Sequence, residues 1–120
     1  MNLFVTILRF VFAGFFVFAG IMHFIKPKFF NHFIPKAFPK LLVNTIVGII
    51  ELGLGIGLFF SEHIQLASLG IMILLIAFLP IHIWDVFRER PAIGSKKLAH
   101  IRVPMQFLLF YFAYLIYQHA

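Results

Sequence analysis

Six polar side chains interrupt the apolar stretches of this 120-residue sequence, and their types would allow proton exchange or ligand binding. They are Arg9, His23, Glu51, His82, Asp85 and Gln106. A carboxylate and an imidazole can hold and exchange a proton, whereas an arginine beside a carboxylate forms an ion pair. Two histidines with one carboxylate could also ligate zinc or iron. Because the tight ligand spacing of a motif such as HExxH is missing, we assign no metal site.

The positions of Arg9 and Glu51 predict a buried ion pair. Both residues lie at similar distances from the outer ends of their apolar stretches, within about one turn of a helix that rises ~1.5 Å per residue. A lone charge at mid-bilayer costs at least ~2.5 kcal/mol, so each side chain is expected to pair with the other. Two interpretations stay open. The pair locks the helices together, or Glu51 is protonatable and serves a ligand or a proton path.

A second group of polar residues is predicted near the inner ends of the apolar stretches. His82 and Asp85 lie late in the third stretch, His23 late in the first, and Gln106 early in the fourth. With Glu51 a few turns deeper, these five residues would form a candidate ligand pocket. The simpler interpretation is an interfacial histidine bonded to the carboxylate three residues later.

The elements that carry these residues are predicted to be membrane-spanning helices. Hydrophobic residues make up 62% of the chain and charged residues 12%, against about a quarter charged in ordinary soluble domains. Four stretches reach the roughly 20 apolar residues that cross a bilayer, at about residues 3–25, 41–60, 66–87 and 101–119. Each has one stripe of polar and small residues at steps of three and four. We therefore expect an all-α, integral membrane, antiparallel four-helix bundle, in a single domain over residues 1–120.

The connecting loops predict the orientation in the membrane. The first loop, "KPKFFNHFIPKAFPK", and the third, "RERPAIGSKKLAHIR", are rich in Lys and Arg, whereas the second, "SEHIQ", is not. By the positive-inside rule, loops 1 and 3 face the cytoplasm and both termini are extracytoplasmic, in a bacterial-type inner or plasma membrane. We expect loop 1 to form a short interfacial segment between the first two helices, with its lysines at lipid headgroups.

Glycines on the second stretch predict close helix packing and a homodimer. Gly48 and Gly55 share the stripe of Glu51, whereas Gly53 and Gly57 form a GxxxG pattern on another face. That pattern favours packing within the bundle or between two copies. The basic residues flank apolar stretches and follow no nucleic-acid-binding pattern. Membrane lipid and other membrane proteins are therefore the expected partners, and nucleic acid is not.

An ordered set of motifs resembles the DoxX-like family of four-span membrane proteins. The set comprises Arg9, "GIMHF", "KPKFFNHFIPKAFP", "GIIELGLGIGLFF" around Glu51, and "FLPIHIWD" late in the third stretch. The resemblance implies a four-helix membrane protein. Relatives include subunits of thiosulfate:quinone oxidoreduction and proteins of methylamine dehydrogenase maturation or membrane redox homeostasis. A more distant resemblance, carried by Glu51 and His82, is to the nicotinic-receptor chaperone NACHO.

Two functions follow as hypotheses. The first is a non-enzymatic assembly, chaperone or partner-binding component, because the chain has no cysteine, no haem or flavin motif and little mass outside the apolar stretches. The alternative is a quinone-binding, redox-associated subunit. There, a histidine would donate to a quinone carbonyl while Asp85 or Glu51 handles protons. No cofactor is firmly indicated, and quinone and lipid are the candidate ligands.

Overall fold

The computed structural model describes residues 2–120, and this part of the chain is helical without a β-strand. A 3-10 turn at Ser61–His63 precedes the fourth of its five α-helices. The α-helices are α1 (Leu3–Ile25), α2 (Lys28–Asn31), α3 (Lys40–Gly57), α4 (Ile64–Phe87) and α5 (Lys96–Gln118). All but the short α2 are long and apolar enough to cross a membrane. The predicted all-helical class with four long apolar helices is confirmed.

Side-chain caps set the first residues of α1 and α5. Asn2 Oδ1 accepts a hydrogen bond from Val5 N at 2.8 Å, and Ser95 Oγ accepts one from Leu98 N at 3.2 Å. Such caps satisfy backbone N–H groups that have no partner within the helix. Gly94 has a φ of 124°, a left-handed conformation that glycine adopts readily. Because of this turn and cap, α5 begins five residues before the predicted position 101.

The long helices pack mainly in two pairs, α1 with α3 and α4 with α5. Smaller contacts join α3 to α4 and α1 to α5. Apolar side chains from α1, α4 and α5, together with Leu58 just after α3, form one buried core. Its members are Val5, Leu8, Phe12, Ala13, Phe16, Leu58, Ile64, Ala67, Ile71, Leu75, Ala113 and Ile116.

Glycines bring the backbones of α1 and α3 together. A Cβ at Gly20 would lie 2.6 Å from Leu52 N, and a Cβ at Gly55 would lie 2.6 Å from Val17 N. A Cβ at Gly48 would lie 3.0 Å from the Cβ of His23. Distances this short leave no room for a side chain. The glycines therefore determine how closely α3 approaches α1.

The segment between α1 and α3 reaches across to the end of α4. Arg88 Nη1 donates a hydrogen bond to the carbonyl oxygen of His32, and the ring of Phe33 meets His82 edge-on at 5.9 Å. Ile34, in the turns that follow α2, is buried. The two basic loops therefore lie at the same end of the molecule.

Candidate functional site

A buried carboxylate–imidazole pair joins α1 to α3. His23 Nε2 lies 2.8 Å from Glu51 Oε1, and the two residues are only 8% and 7% exposed. His23 occupies the last turn of α1 and Glu51 the middle of α3. Their contact depends on the close approach at Gly20 and Gly48, which lie one turn from His23 and Glu51 on their respective helices.

Two asparagines extend this pair into a four-residue hydrogen-bond chain. Asn44 Oδ1 lies 2.8 Å from His23 Nδ1, while Asn44 Nδ2 donates to Asn31 Oδ1 at 2.9 Å and to the Lys40 carbonyl oxygen at 3.0 Å. The chain therefore runs Glu51–His23–Asn44–Asn31. It connects α1, α2 and α3, and the side chain of Asn44 is fully used.

The amide of Asn44 determines where the protons of His23 lie. Since both Nδ2 hydrogens are donated elsewhere, Oδ1 must accept, and His23 Nδ1 carries a hydrogen. The contact between Nε2 and Glu51 then requires one shared proton. Either an imidazolium faces a carboxylate, or a neutral imidazole accepts from a protonated carboxyl group. The pair is neutral overall in both forms, which suits a buried position.

An aromatic ring covers the imidazole on one side. Phe30 of α2 stacks on His23 with a centroid separation of 3.7 Å and an interplanar angle of 16°. Together with the bond from Asn44 to Asn31, this stacking fixes α2 against the ends of α1 and α3. The segment between α1 and α3 therefore forms one wall of the site.

Arg9 does not pair with Glu51, which corrects the expectation drawn from their depths. Its Nε donates to the Leu58 carbonyl oxygen at 2.6 Å, and its guanidinium lies 4.7 Å from the centroid of the Phe10 ring. Leu58 follows the last residue of α3, where carbonyl groups have no partner within the helix. Glu51 lies seven residues earlier, roughly 10 Å along the axis. Arg9 therefore caps α3 and takes no part in the buried pair.

His82, Asp85 and Gln106 do not join His23 and Glu51 in one pocket. Asp85 is 1% exposed, and its carboxylate accepts from Ala92 N at 2.7 Å and Ile93 N at 3.2 Å. It therefore orders the loop between α4 and α5. His82 is half-buried beside Phe33. The five predicted pocket residues therefore lie in three separate places: His23 with Glu51, His82 and Asp85 near the end of α4, and Gln106 on α5.

Gln106 lies nearer the middle of its helix than predicted. Its Nε2 donates to the Leu75 carbonyl oxygen at 2.8 Å, and Leu75 precedes His82 by seven residues, roughly 10 Å along α4. The difference comes from the earlier start of α5. Counted from Lys96, Gln106 is in the middle of its helix and not in the second turn.

The four glycines expected to pack helices separate into two groups. Gly48 and Gly55 are buried against α1. Gly53 is exposed, and a Cβ there would meet no atom within 4 Å, while a Cβ at Gly57 would lie 3.1 Å from Ala67 Cβ. Gly53 and Gly57 line a groove of about 440 Å³ between α3 and α4. The other lining residues are Leu54, Ile56, Phe60, His63, Leu66 and Ala67.

Sequence reasoning missed three members of the site: Phe30, Asn31 and Asn44. Asn44 had a usable signal, since it precedes Glu51 by seven residues, two helical turns, and so lies on the same stripe. Asn31 and Phe30 had none, because their contacts depend on how the loop folds back over the helix ends. Among residues 2–120, no three His, Asp or Glu side chains lie together as metal ligands would.

Fold and site together define a class: small all-helical proteins with four helices of membrane-spanning length and a buried carboxylate–imidazole–amide chain. The protein belongs to the family described as "Domain of unknown function (DUF8561)", whose model matches residues 12–117. The match includes every residue of the hydrogen-bond chain. No curated protein and no solved structure matches the sequence.

Proposed function

We propose that this chain is a non-enzymatic, partner-binding integral membrane protein of DoxX-like type. Its long helices would cross the bilayer as an antiparallel bundle. Large apolar side chains on the outer faces support this proposal, among them Leu3, Leu41, Leu66 and Phe87, each more than 70% exposed. In a bilayer these side chains would meet lipid, whereas in water they would form an aggregation-prone surface.

The proposed orientation has the basic loops in the cytoplasm and both termini outside. The bond from Arg88 to His32 supports it, because the bond joins the two loops that carry nearly all the Lys and Arg. The positive-inside rule then selects the cytoplasm for this end. Arg9 is the exception and lies near the opposite end, at the carboxyl terminus of α3.

The partner-binding proposal rests on the exposed position of Gly53, where a Cβ would meet no atom within 4 Å. Gly48 and Gly55 of the same helix are filled by α1, whereas Gly53 faces the groove between α3 and α4. A groove floored by small residues allows the backbone of another transmembrane helix to approach closely. The hydrogen-bond chain at His23 and Glu51 would hold α3 rigid while the partner docks.

A second copy of the chain is the proposed partner. In a two-fold dimer with parallel α3 helices, residues at equal height face each other. The exposed His63, which lines the groove, and the neighbouring exposed Glu62 would then approach Glu62 and His63 of the second copy and offer complementary hydrogen-bonding groups. Neither side chain has a hydrogen-bond or ion-pair partner within residues 2–120.

Because the sequence has no cysteine, a single introduced cysteine provides the only thiol for a cross-linking test of this interface. A single Phe60→Cys change places one thiol on the groove, and disulfide formation in liposomes then reports dimers. We expect Gly53→Ile in this background to reduce cross-linking by about tenfold or more, because the side chain fills the docking surface. Gly14→Ile is the matched control, since Gly14 also has no atom within 4 Å of a Cβ but lies on α1. Equal cross-linking in both variants would refute the interface.

The shared proton of His23 and Glu51 favours a second candidate function, a quinone-binding redox-associated subunit. Reduction of a quinone to a quinol takes two electrons, here from a redox partner, and two protons, and the buried imidazole–carboxyl pair would pass a proton to a quinone oxygen. The test is the quinone content of protein purified from membranes in mild detergent. Stoichiometric quinone that is lost in Glu51→Gln would favour this candidate. Protein that carries only phospholipid would favour partner binding.

A further inference from the structure

Gln106 has a buried oxygen that no residue satisfies. The residue is 2% exposed, and its Nε2 donates to the Leu75 carbonyl oxygen at 2.8 Å. Its Oε1 has no hydrogen-bond partner among residues 2–120. A buried acceptor left without a donor is unfavourable, and little water reaches the middle of a bilayer to supply one. The position therefore favours a ligand that can donate a hydrogen bond.

The same side chain lines a cleft between α4 and α5 of about 230 Å³. Five apolar residues complete the lining: Leu75, Ile76, Leu79, Phe107 and Phe110. Ile76 and Phe107 are 57% and 60% exposed, so the cleft opens at the outer surface of the pair, where lipid would lie. A cavity of about 150 Å³ is enough for benzene, so this cleft accommodates one substituted aromatic ring.

The lining determines the chemistry of that ring. No charged side chain lines the cleft, which disfavours an ionic ligand. Oε1 can only accept, so the ligand must offer O–H or N–H, and the two phenylalanines favour an aromatic body. Oε1 is itself closed off in the unliganded protein, so a ligand reaches it only when the lining side chains move apart. We propose that the cleft between α4 and α5 opens in this way to bind an apolar molecule with a phenolic hydroxyl, which donates to Oε1 of Gln106. This site is separate from the Gly53 groove; it rests on the proposed insertion into a membrane and not on the proposed partner binding.

An internal alternative involves Arg102, one turn before Gln106 on α5. Its Nη1 is also buried without a hydrogen-bond partner. A guanidinium that reached Oε1 would satisfy both atoms without a ligand. In that case a phenol would gain nothing over an analogue that cannot donate.

A matched pair of ligands tests the proposal on the unaltered protein. The probes are 4-octylphenol and its methyl ether, 4-octylanisole, which has the same ring and chain but no hydroxyl hydrogen. Binding is measured in lipid nanodiscs by equilibrium dialysis. We expect the phenol to bind about tenfold more tightly than the ether, as one added hydrogen bond to a buried acceptor allows. Equal binding of phenol and ether would overturn the proposal.

Variants of the protein separate the site from simple partitioning into lipid. We expect Gln106→Met to abolish the preference for phenol, whereas Gln118→Met, at an exposed glutamine of the same helix, keeps it. Ile76→Trp fills the cleft from its open side without altering Gln106, and it should also abolish the preference. If the preference persists in folded Gln106→Met or in folded Ile76→Trp, the assignment is wrong.

Discussion

The α1–α3 contact and the α4–α5 contact each bury a side-chain amide, but only one of the two amides is fully hydrogen-bonded. Between α1 and α3, Asn44 accepts from His23 and donates to Asn31 and Lys40. Between α4 and α5, Gln106 donates once and its oxygen has no partner. The first contact is a completed polar chain, and the second is a single bond beside an open cleft.

Glycine content explains this difference. α3 approaches α1 at three glycines, where added Cβ atoms would meet the opposite helix within 3.0 Å. α5 contains no glycine, and the one glycine of α4, Gly70, faces Leu54 of α3. Where backbones lie close, short polar side chains can reach several partners. At the α4–α5 contact, which has no such glycine, the amide of Gln106 bonds to one carbonyl only.

The largest effect should come from removing the imidazole of the completed chain. We expect His23→Ala to lower the free energy of unfolding by about 3–5 kcal/mol, since it strands both Glu51 and Asn44 in a buried position. Glu51→Gln should cost less than about 1 kcal/mol, because its amide can donate to His23 Nε2. Denaturant titration in detergent micelles measures both. Equal losses in the two variants would contradict the shared-proton arrangement.

The same amide-to-leucine change in both contacts compares them directly. We expect Asn44→Leu to cost about 2–4 kcal/mol, because His23 and Asn31 lose their partner. Gln106→Leu removes one bond together with one unsatisfied oxygen, so its effect should stay within about 1 kcal/mol. The same titration measures both variants. A larger loss for Gln106→Leu would reverse the comparison.

Adding a methyl group to α3 tests the close approach on its own. A Cβ at Gly55 would press against Val17 N at 2.6 Å, so Gly55→Ala should destabilise by about 1–3 kcal/mol. Gly53→Ala meets open space and should be neutral, or stabilising by up to about 1 kcal/mol through helix propensity. Thermal melts of the two variants, followed by circular dichroism, should differ in sign or clearly in size. Matching melts would mean that α1 and α3 can separate slightly at little cost.

The smallest effect concerns the cap at the far end of the same pair. We expect Arg9→Met to cost about 1 kcal/mol, because the half-buried guanidinium donates to the Leu58 carbonyl oxygen at 2.6 Å. Arg90→Met, at an exposed loop position, should change stability by less than about 0.5 kcal/mol. Amide hydrogen exchange in the last turn of α3 is the most direct measurement. Unchanged exchange in Arg9→Met would show that the cap is not stabilising.

Apolar run length was enough to predict the four long helices, and the first predicted stretch, 3–25, coincides with α1. The start of α5 was missed because apolar counting ignores capping. Residues 96–100 are mostly polar, yet Gly94 and Ser95 turn and cap the chain ahead of them. That five-residue error placed Gln106 too near the helix end and made the five-residue pocket look plausible.

The partners inside the site were harder to predict than its residues. The stripe on the second stretch correctly grouped Glu51 with Gly48 and Gly55, but each charged residue was assumed to pair with another charged residue. That rule overlooked the backbone carbonyls at the end of α3, which satisfy Arg9, and a histidine as the partner of Glu51. The comparison of depths failed as well, because Arg9 bonds to Leu58, seven residues beyond Glu51, and not to a residue within one turn of Glu51.

The bond between Arg88 and His32 has a consequence for biosynthesis. Both main helix pairs are formed by consecutive long segments, so each can assemble from a short length of nascent chain. The two bonded residues, by contrast, are 56 positions apart. All of α4 must leave the ribosome before Arg88 can bond to His32 in the first loop. Until then, Phe30 and Asn31 contact only α1 and α3, so the loop that covers His23 has no bond to α4 until Arg88 has been synthesised.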